Sequence, residues 1–266
     1  MHPIERLRYV ARATGYPQSM VVGEAARALA SFTDDPQGLV TACRRLVSRQ
    51  PGSAPLVWLC ARVLTAGDPR AEIRCALDEL EGDRTHGELS HALPDDATVL
   101  VLGWPEFATD SLPRRGDVEV LVVDVHHEGS GLVQRLVQAD VDAIDVPLAG
   151  LGAAAAEADL VILEAGAVAP AEFLAVSGSR AAAAVARHNG TPVWLVAGVG
   201  RLLPERMWQP VREHVLTDEA WDGDDEAVPL DLVDQVVGPT GLLAPADAIR
   251  RTDCPVAPEL FKGNVL

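Results

Sequence analysis

The chain has 266 residues, of which 48% are hydrophobic and 23% charged, an ordinary globular composition that excludes disorder. Its formal net charge of -17, with Lys262 as its sole lysine, gives an acidic field that repels phosphate backbones and excludes nucleic acid as a partner. No apolar run reaches the ~20 residues needed to cross a bilayer, so no membrane role is expected.

Residues 1–92 read as a helical N-terminal region. Apolar stripes at helical spacing run through Ile4, Leu7, Val10 and Ala11, then Val21, Val22, Ala25, Ala26, Leu29 and Ala30. They continue through Leu39, Val40, Cys43, Leu46 and Val47, then Leu56, Leu59, Cys60, Val63 and Leu64, and end at Ile73, Leu77 and Leu80. Breaks fall at Thr14-Gly15, Thr33-Asp34-Asp35-Pro36, Gln50-Pro51-Gly52 and Gly67-Asp68-Pro69. About five helices are expected. With no low-complexity linker after them, they should pack on the rest of the chain.

From Ala97 the pattern changes to short β-branched runs: TVLVLG at 98–103, VEVLVVD at 118–124, DLVILEAG at 159–166 and PVWLVAG at 192–198. A weaker strand, AIDV, lies at 143–146, and a last one is expected around Leu232–Val236, with a turn and a short helix after it. GSGLVQRLVQAD and SRAAAAVARHNG read as helices between strands, the second ending at the Asn189-Gly190 stop. Strands apolar on both sides, alternating with helices, predict an α/β fold: a helical N-terminal region packed on a Rossmann-like parallel sheet, with 93–266 as the Rossmann-like domain. The stretch TDEAWDGDDEAVPLD reads as a solvated acidic loop.

The four cysteines, Cys43, Cys60, Cys75 and Cys254, form no Cys-x-x-Cys pair. MHPIERLRYV lacks the apolar segment of a signal peptide, so they read as reduced thiols of a cytoplasmic protein. Gly150-Leu151-Gly152-Ala153-Ala154-Ala155 matches the G-x-G-x-x-A dinucleotide string, but only Ala153–Ala158 separate it from the next strand, too short for a crossover helix. It reads as a helix start, and no cofactor is expected.

In an open parallel sheet, ligands bind beyond the carboxyl ends of the strands. Those ends carry Gly103-Trp104-Pro105, Asp124 to Gly131, Glu164-Ala165-Gly166 and Gly198 to Arg201. His126-His127-Glu128 could move protons or ligate a metal, but no third ligand has suitable spacing, so a pocket-lining loop without a metal is expected. Ser177-Gly178-Ser179 opens a helix, where free N–H groups hold an anion or Ser177 or Ser179 serves as the N-cap. The candidate ligand-binding residues are Asp124, His126, His127, Glu164, Gly166, Ser177, Gly178, Ser179 and Arg201.

Taken in order, these segments resemble the family that joins the alpha, beta and delta subunits of translation initiation factor 2B to two sugar-phosphate isomerases, which act on methylthioribose 1-phosphate and ribose 1,5-bisphosphate. EADLVILEAGAVAPAEFLAVSGSRAAAAVARHNGTPVWLVAG at 157–198 is similar to the family's run of Asp, strand, Gly-Ala, loop, Gly-Thr, alanine-rich helix and Pro-led strand. VEVLVVDVHHEG is similar to its strand with a Glu-Ser-Arg-Pro loop, and VPLDLVDQVVGPTGLLAP to its closing strand and Thr-Glu-x-Gly. The resemblance implies a homodimer that binds a phosphorylated small molecule. The isomerase cysteine has no match near Gly103-Trp104-Pro105, and the Gly-Ala-Asp triplet falls on Glu164-Ala165-Gly166. The family's Asn-Lys falls on Ala175-Val176 and its loop arginine on His126. These departures point to a non-catalytic protein that binds a nucleotide or sugar phosphate in a regulatory role. The alternative is an aldose–ketose isomerase with a rebuilt site, in which Glu164 is the candidate catalytic residue.

Overall fold

The computed structural model describes residues 17–262. Four of the five expected stripes fall on helices α1 (Gln18–Leu29), α2 (Pro36–Arg49), α3 (Ala54–Thr65) and α4 (Pro69–Glu81). The stripe from Ile4 to Ala11 lies outside the described residues. The aspartate–proline breaks act as helix starts: the Asp35 and Asp68 carboxylates accept the N–H of Gly38 and Ala71, each at 3.0 Å, while Pro36 and Pro69 take the first helical position. A fifth helix, α5 (Thr85–Ala92), was not legible from periodicity.

Beyond it the chain alternates strands and helices: β1 (Thr98–Leu102), α6 (Glu106–Ser111), β2 (Glu119–Asp124), α7 (Gly129–Gln138), β3 (Asp142–Pro147), α8 (Leu151–Glu157) and β4 (Leu160–Glu164). Next come β5 (Ala167–Val168), β6 (Glu172–Val176), α9 (Ser179–Asn189), β7 (Val193–Val196), α10 (Glu205–Val215), β8 (Asp225–Pro229), β9 (Gln235–Gly238), β10 (Gly241–Leu243) and α11 (Pro245–Ile249). Seven strands form one sheet in the order β10-β9-β7-β4-β1-β2-β3. All pair in parallel except β10 with β9. Alternate residues face opposite layers: Leu100, Val161 and Leu195 pack with the alanines of α8 and α9, while Val99, Val101 and Ile162 pack with α6, α7 and Leu89 of α5. A sheet covered on both faces explains the unbroken apolar runs.

Four expectations are corrected. The acidic stretch 217–231 is not loop throughout, because its second half is β8, held antiparallel to β6 with Val228 opposite Phe173, both fully buried. β5, β6 and β8 form a second, antiparallel sheet where the sequence suggested loops. The last parallel strand begins at Gln235, not Leu232, because Leu230–Leu232 form a 3-10 turn that buries Leu230. The segment judged too short for a crossover helix is one: α8 carries the chain from β3 to β4 past β2 and β1, and its small side chains allow close packing on α9. The start of that helix at Leu151 is as expected.

The helices of the N-terminal region meet the rest in two ways. The core of α1–α4 is closed by Ala167 and Leu174 of the small sheet, by Met207, Trp208 and Val211 of α10, and by Ala257 and Leu260. α5 alone joins the core of the large sheet, through Leu89. α3, the most enclosed helix, is apolar around most of its circumference, with Trp58 fully buried.

Candidate functional site

The chain order in the large sheet runs outward from β1 to β2 and β3, then returns to β4 on the other side of β1. β1 and β4 are therefore the topological switch point, where a crevice opens beyond the carboxyl ends of the strands. A cavity of about 820 Å³ lies there, walled on one side by residues after β1 and β4 and on the other by α1 and α4.

The floor is a buried ionic cluster. Arg201, only 3% exposed, stands after β7, where the chain turns through Gly200 at φ +76°. A Cβ on Gly200 would stand 3.1 Å from Pro55 and from the Trp58 ring, so both the φ and the space require glycine. The guanidinium lies 4.8 Å from the centre of the Phe107 ring. It donates to the Ala165 carbonyl, sits 2.9 Å from Glu106 Oε2, and lies 3.4 Å from Glu164 Oε1. Glu164 ends β4 and accepts the N–H groups of Glu106 (3.0 Å) and Phe107 (2.8 Å), which fixes the start of α6. Glu106 in turn accepts from the N–H of Gln18 (3.1 Å), the N–H of Ser19 (3.2 Å) and the Ser19 hydroxyl (2.5 Å). One carboxylate thus ties the sheet end to the first described helix.

Two carboxylates share one guanidinium, so the cluster carries excess negative charge in a poorly solvated place. Burial pushes the Glu164 carboxyl above its ordinary range; Arg201 and the two N–H donors oppose that, and the charge of Glu106 adds to it. Each arginine on the described lining already faces a carboxylate: Arg27 meets Glu24 at 2.5 Å and Arg135 meets Asp110 at 3.2 Å. Above this polar floor stand two large apolar side chains left open to solvent, Trp104 (43% exposed) after β1 and Met20 (52%) on α1.

Glu164 and Arg201 are the expected site residues that line this cavity. Asp124, the last residue of β2, accepts the Gly129 N–H at 2.9 Å and so starts α7, and it is not on the cavity lining. His126 and His127 both adopt positive φ, +59° and +62°, and splay apart. The His127 side chain is fully exposed, 3.8 Å from Asp124 Oδ2, whereas His126 lies 3.7 Å from Asp224. Among the described residues no group of three His, Cys, Asp or Glu side chains stands close enough to hold a metal ion.

At Ser177-Gly178-Ser179 the expected serine cap is corrected. The N-cap is Gly178, at φ +102°, and no side chain of these three residues caps α9. Instead Glu226 of β8 accepts the N–H of Gly178 (2.8 Å) and of Arg180 (2.9 Å), so the chain's own carboxylate fills the anion position. Ser177 donates to the Gly223 carbonyl at 2.5 Å, and Ser179 is buried. Gly166 serves the joint between the two sheets and α3: it donates to Leu174 O at 2.8 Å and accepts from Ala54 at 3.3 Å.

Sequence reasoning missed Glu106, although Pro105-Glu106 three residues past the end of β1 is a helix-start signal. Met20, Arg27 and Glu81 carry no local sign, since the packing of the helical wall alone brings them to the sheet ends.

No family model and no curated protein sequence matches the chain. Solved structures do. The translation initiation factor eIF-2B of Pyrococcus horikoshii OT3 superposes with a TM-score of 0.77 at 14% identity, over 93% of this chain and 98% of that one. The eIF2B beta subunit of Chaetomium thermophilum gives 0.75 at 19% identity, over 97% and 92%. A chain of the tetrameric eIF2B-beta2-delta2 complex of C. thermophilum gives 0.74 at 20%, over 93% and 92%. The protein has the fold of these initiation-factor subunits, in keeping with the motif order in its sequence.

Proposed function

We propose that the protein is a non-catalytic, translation initiation factor 2B-like binding protein that holds a nucleotide in the switch-point cleft and acts as a cytoplasmic, regulatory homodimer. The observation that carries this reading is the cleft itself: Trp104 and Met20 face solvent above a floor whose acid and base groups are tied to one another. An exposed indole with an apolar wall opposite suits a flat base. The phosphate, whether of a nucleotide or of a sugar, has weaker support than the base, because it must compete with a carboxylate already paired to each lining arginine. Gly103-Trp104-Pro105 and Gly166 stand where the resemblance places the isomerase cysteine and aspartate, and neither supplies a group for proton transfer.

The test is thermal unfolding with nucleosides, nucleotides and pentose phosphates. A ligand at one hundred times its Kd raises stability by about 2.7 kcal/mol. Nucleosides and nucleotides should shift the transition in wild type and not in Trp104→Ala; indifference to every nucleotide sinks the reading. The second reading, an isomerase, draws on Glu164, whose carboxyl is raised by burial and borders the cleft, as a general acid does. It requires turnover of methylthioribose 1-phosphate or ribose 1,5-bisphosphate that Glu164→Gln abolishes.

A further inference from the structure

The loop that carries Arg201 has a second side. Arg201 itself lines the cleft, while Gly198, Val199 and Gly200, just before it, wall another cavity of about 270 Å³. The two linings share no residue. The second cavity lies beyond the carboxyl ends of β7 and β9, which pair in parallel, and β10, α11 and the last turn of α4 close it. Strand ends of this kind are where open α/β sheets take ligands.

Its wall is mostly carbon. Ala197, Val236 and Ala248 are buried, and Val199, Leu202 and Leu243 are half-buried beside them. An apolar cavity of ~150 Å³ is enough to bind benzene. This one has room for a ring with a short substituent.

Three charged side chains reach the lining, and each is already engaged. Arg62 donates to Glu79 at 2.7 and 2.9 Å, and the Trp58 indole donates to Asp253 at 3.1 Å. Arg251 donates to the Thr240 hydroxyl at 2.7 Å. An anionic guest would meet two carboxylates, and a cationic one would meet Arg251 and carboxylates bonded elsewhere. A neutral guest meets neither penalty. Thr240 and Arg251 are exposed at the mouth, and the Thr240 hydroxyl, accepting from Arg251, keeps its own proton to donate.

We infer that this cavity binds a small neutral molecule built of an apolar ring and one carbonyl oxygen. The ring packs against Val199, Leu202 and Leu243, and the oxygen accepts from Thr240 and Arg251 at the mouth.

The test is isothermal titration of the full chain with acetophenone, and with benzoate and benzylamine as charged molecules of similar shape. Acetophenone should bind wild type saturably at one site, with a Kd at or below ~1 mM for a ligand of this size. Both charged molecules should bind at least about tenfold more weakly. Thr240→Val, at an exposed position, should weaken acetophenone roughly fivefold, the worth of one hydrogen bond. Leu243→Trp, which fills the chamber, should abolish binding, with thermal unfolding of the unliganded variant reporting that it folds. Trp104→Ala should change nothing, because Trp104 belongs to the cleft. Absence of saturable binding overturns the inference. So does benzoate or benzylamine binding as tightly as acetophenone, or a loss in Trp104→Ala, which would put the guest in the cleft. Should Leu243→Trp fail to fold, Thr240→Val decides: unchanged affinity there overturns the inference.

Discussion

The ends of β4 and β2 both carried chemistry-bearing residues in the sequence, and the fold treats them in opposite ways. At β4, Glu164 lies in a largely buried network with Arg201 and Glu106, each group held by at least two partners. At β2, His126 and His127 sit on a positive-φ turn in solvent, their nearest carboxylates 3.7 and 3.8 Å away. Reactive side-chain type is therefore a poor guide to a site, and convergence of strand ends a better one. β4 borders the switch point, whereas β2 lies one strand outward, next to the edge.

The largest test of this contrast is Arg201→Ala. It leaves Glu106 and Glu164 facing each other without a cation, and breaking a buried pair in this way costs ~3–5 kcal/mol. Urea unfolding measures it. A loss below ~1 kcal/mol, the range of exposed pairs, would mean that the cluster is hydrated and the contrast with β2 is false. Because Glu106 also holds the start of α1, the same variant should loosen amide protection at Gln18 and Ser19.

A smaller effect is expected of Glu164→Gln, and it has a pH signature. The amide keeps only one acceptor oxygen for two N–H groups, at a cost of about 1–2 kcal/mol. Since the folded carboxyl titrates above its unfolded value of about 4.3, its contribution is fully present below that pH and is lost as pH rises through the folded value. The gap between wild type and Glu164→Gln should therefore be widest in acid and narrow toward neutrality. A gap that widens as pH rises would mean that the guanidinium outweighs burial.

Much of the scaffold was legible because its signals are local. Alternating apolar runs such as TVLVL and LVILE, and aspartate–proline helix starts, need no tertiary information. The site was less so. Glu226 reaches the start of α9 from a strand 46 residues on, and Glu106 reaches Ser19 across 87. Distances of that kind are set by how layers stack, which no window of sequence encodes. β8 was hidden for a related reason: an acidic strand is stable there because β6 supplies both the hydrogen bonds and the apolar partner for Val228.

The smallest expected effect concerns His127. Positive φ disfavours any residue with a Cβ by about 1 kcal/mol, and glycine's extra freedom in the unfolded chain offsets a comparable amount. His127→Gly should therefore leave stability within ~0.5 kcal/mol of wild type, as surface changes generally do. Nucleotide-induced stabilisation should also be unchanged, because the imidazole points into solvent and has no place on the cleft lining. If that variant alone abolished the ligand shift while the unliganded protein kept its stability, the β2 loop would have to fold over the bound molecule. The two strand ends would then act as floor and cover of one site.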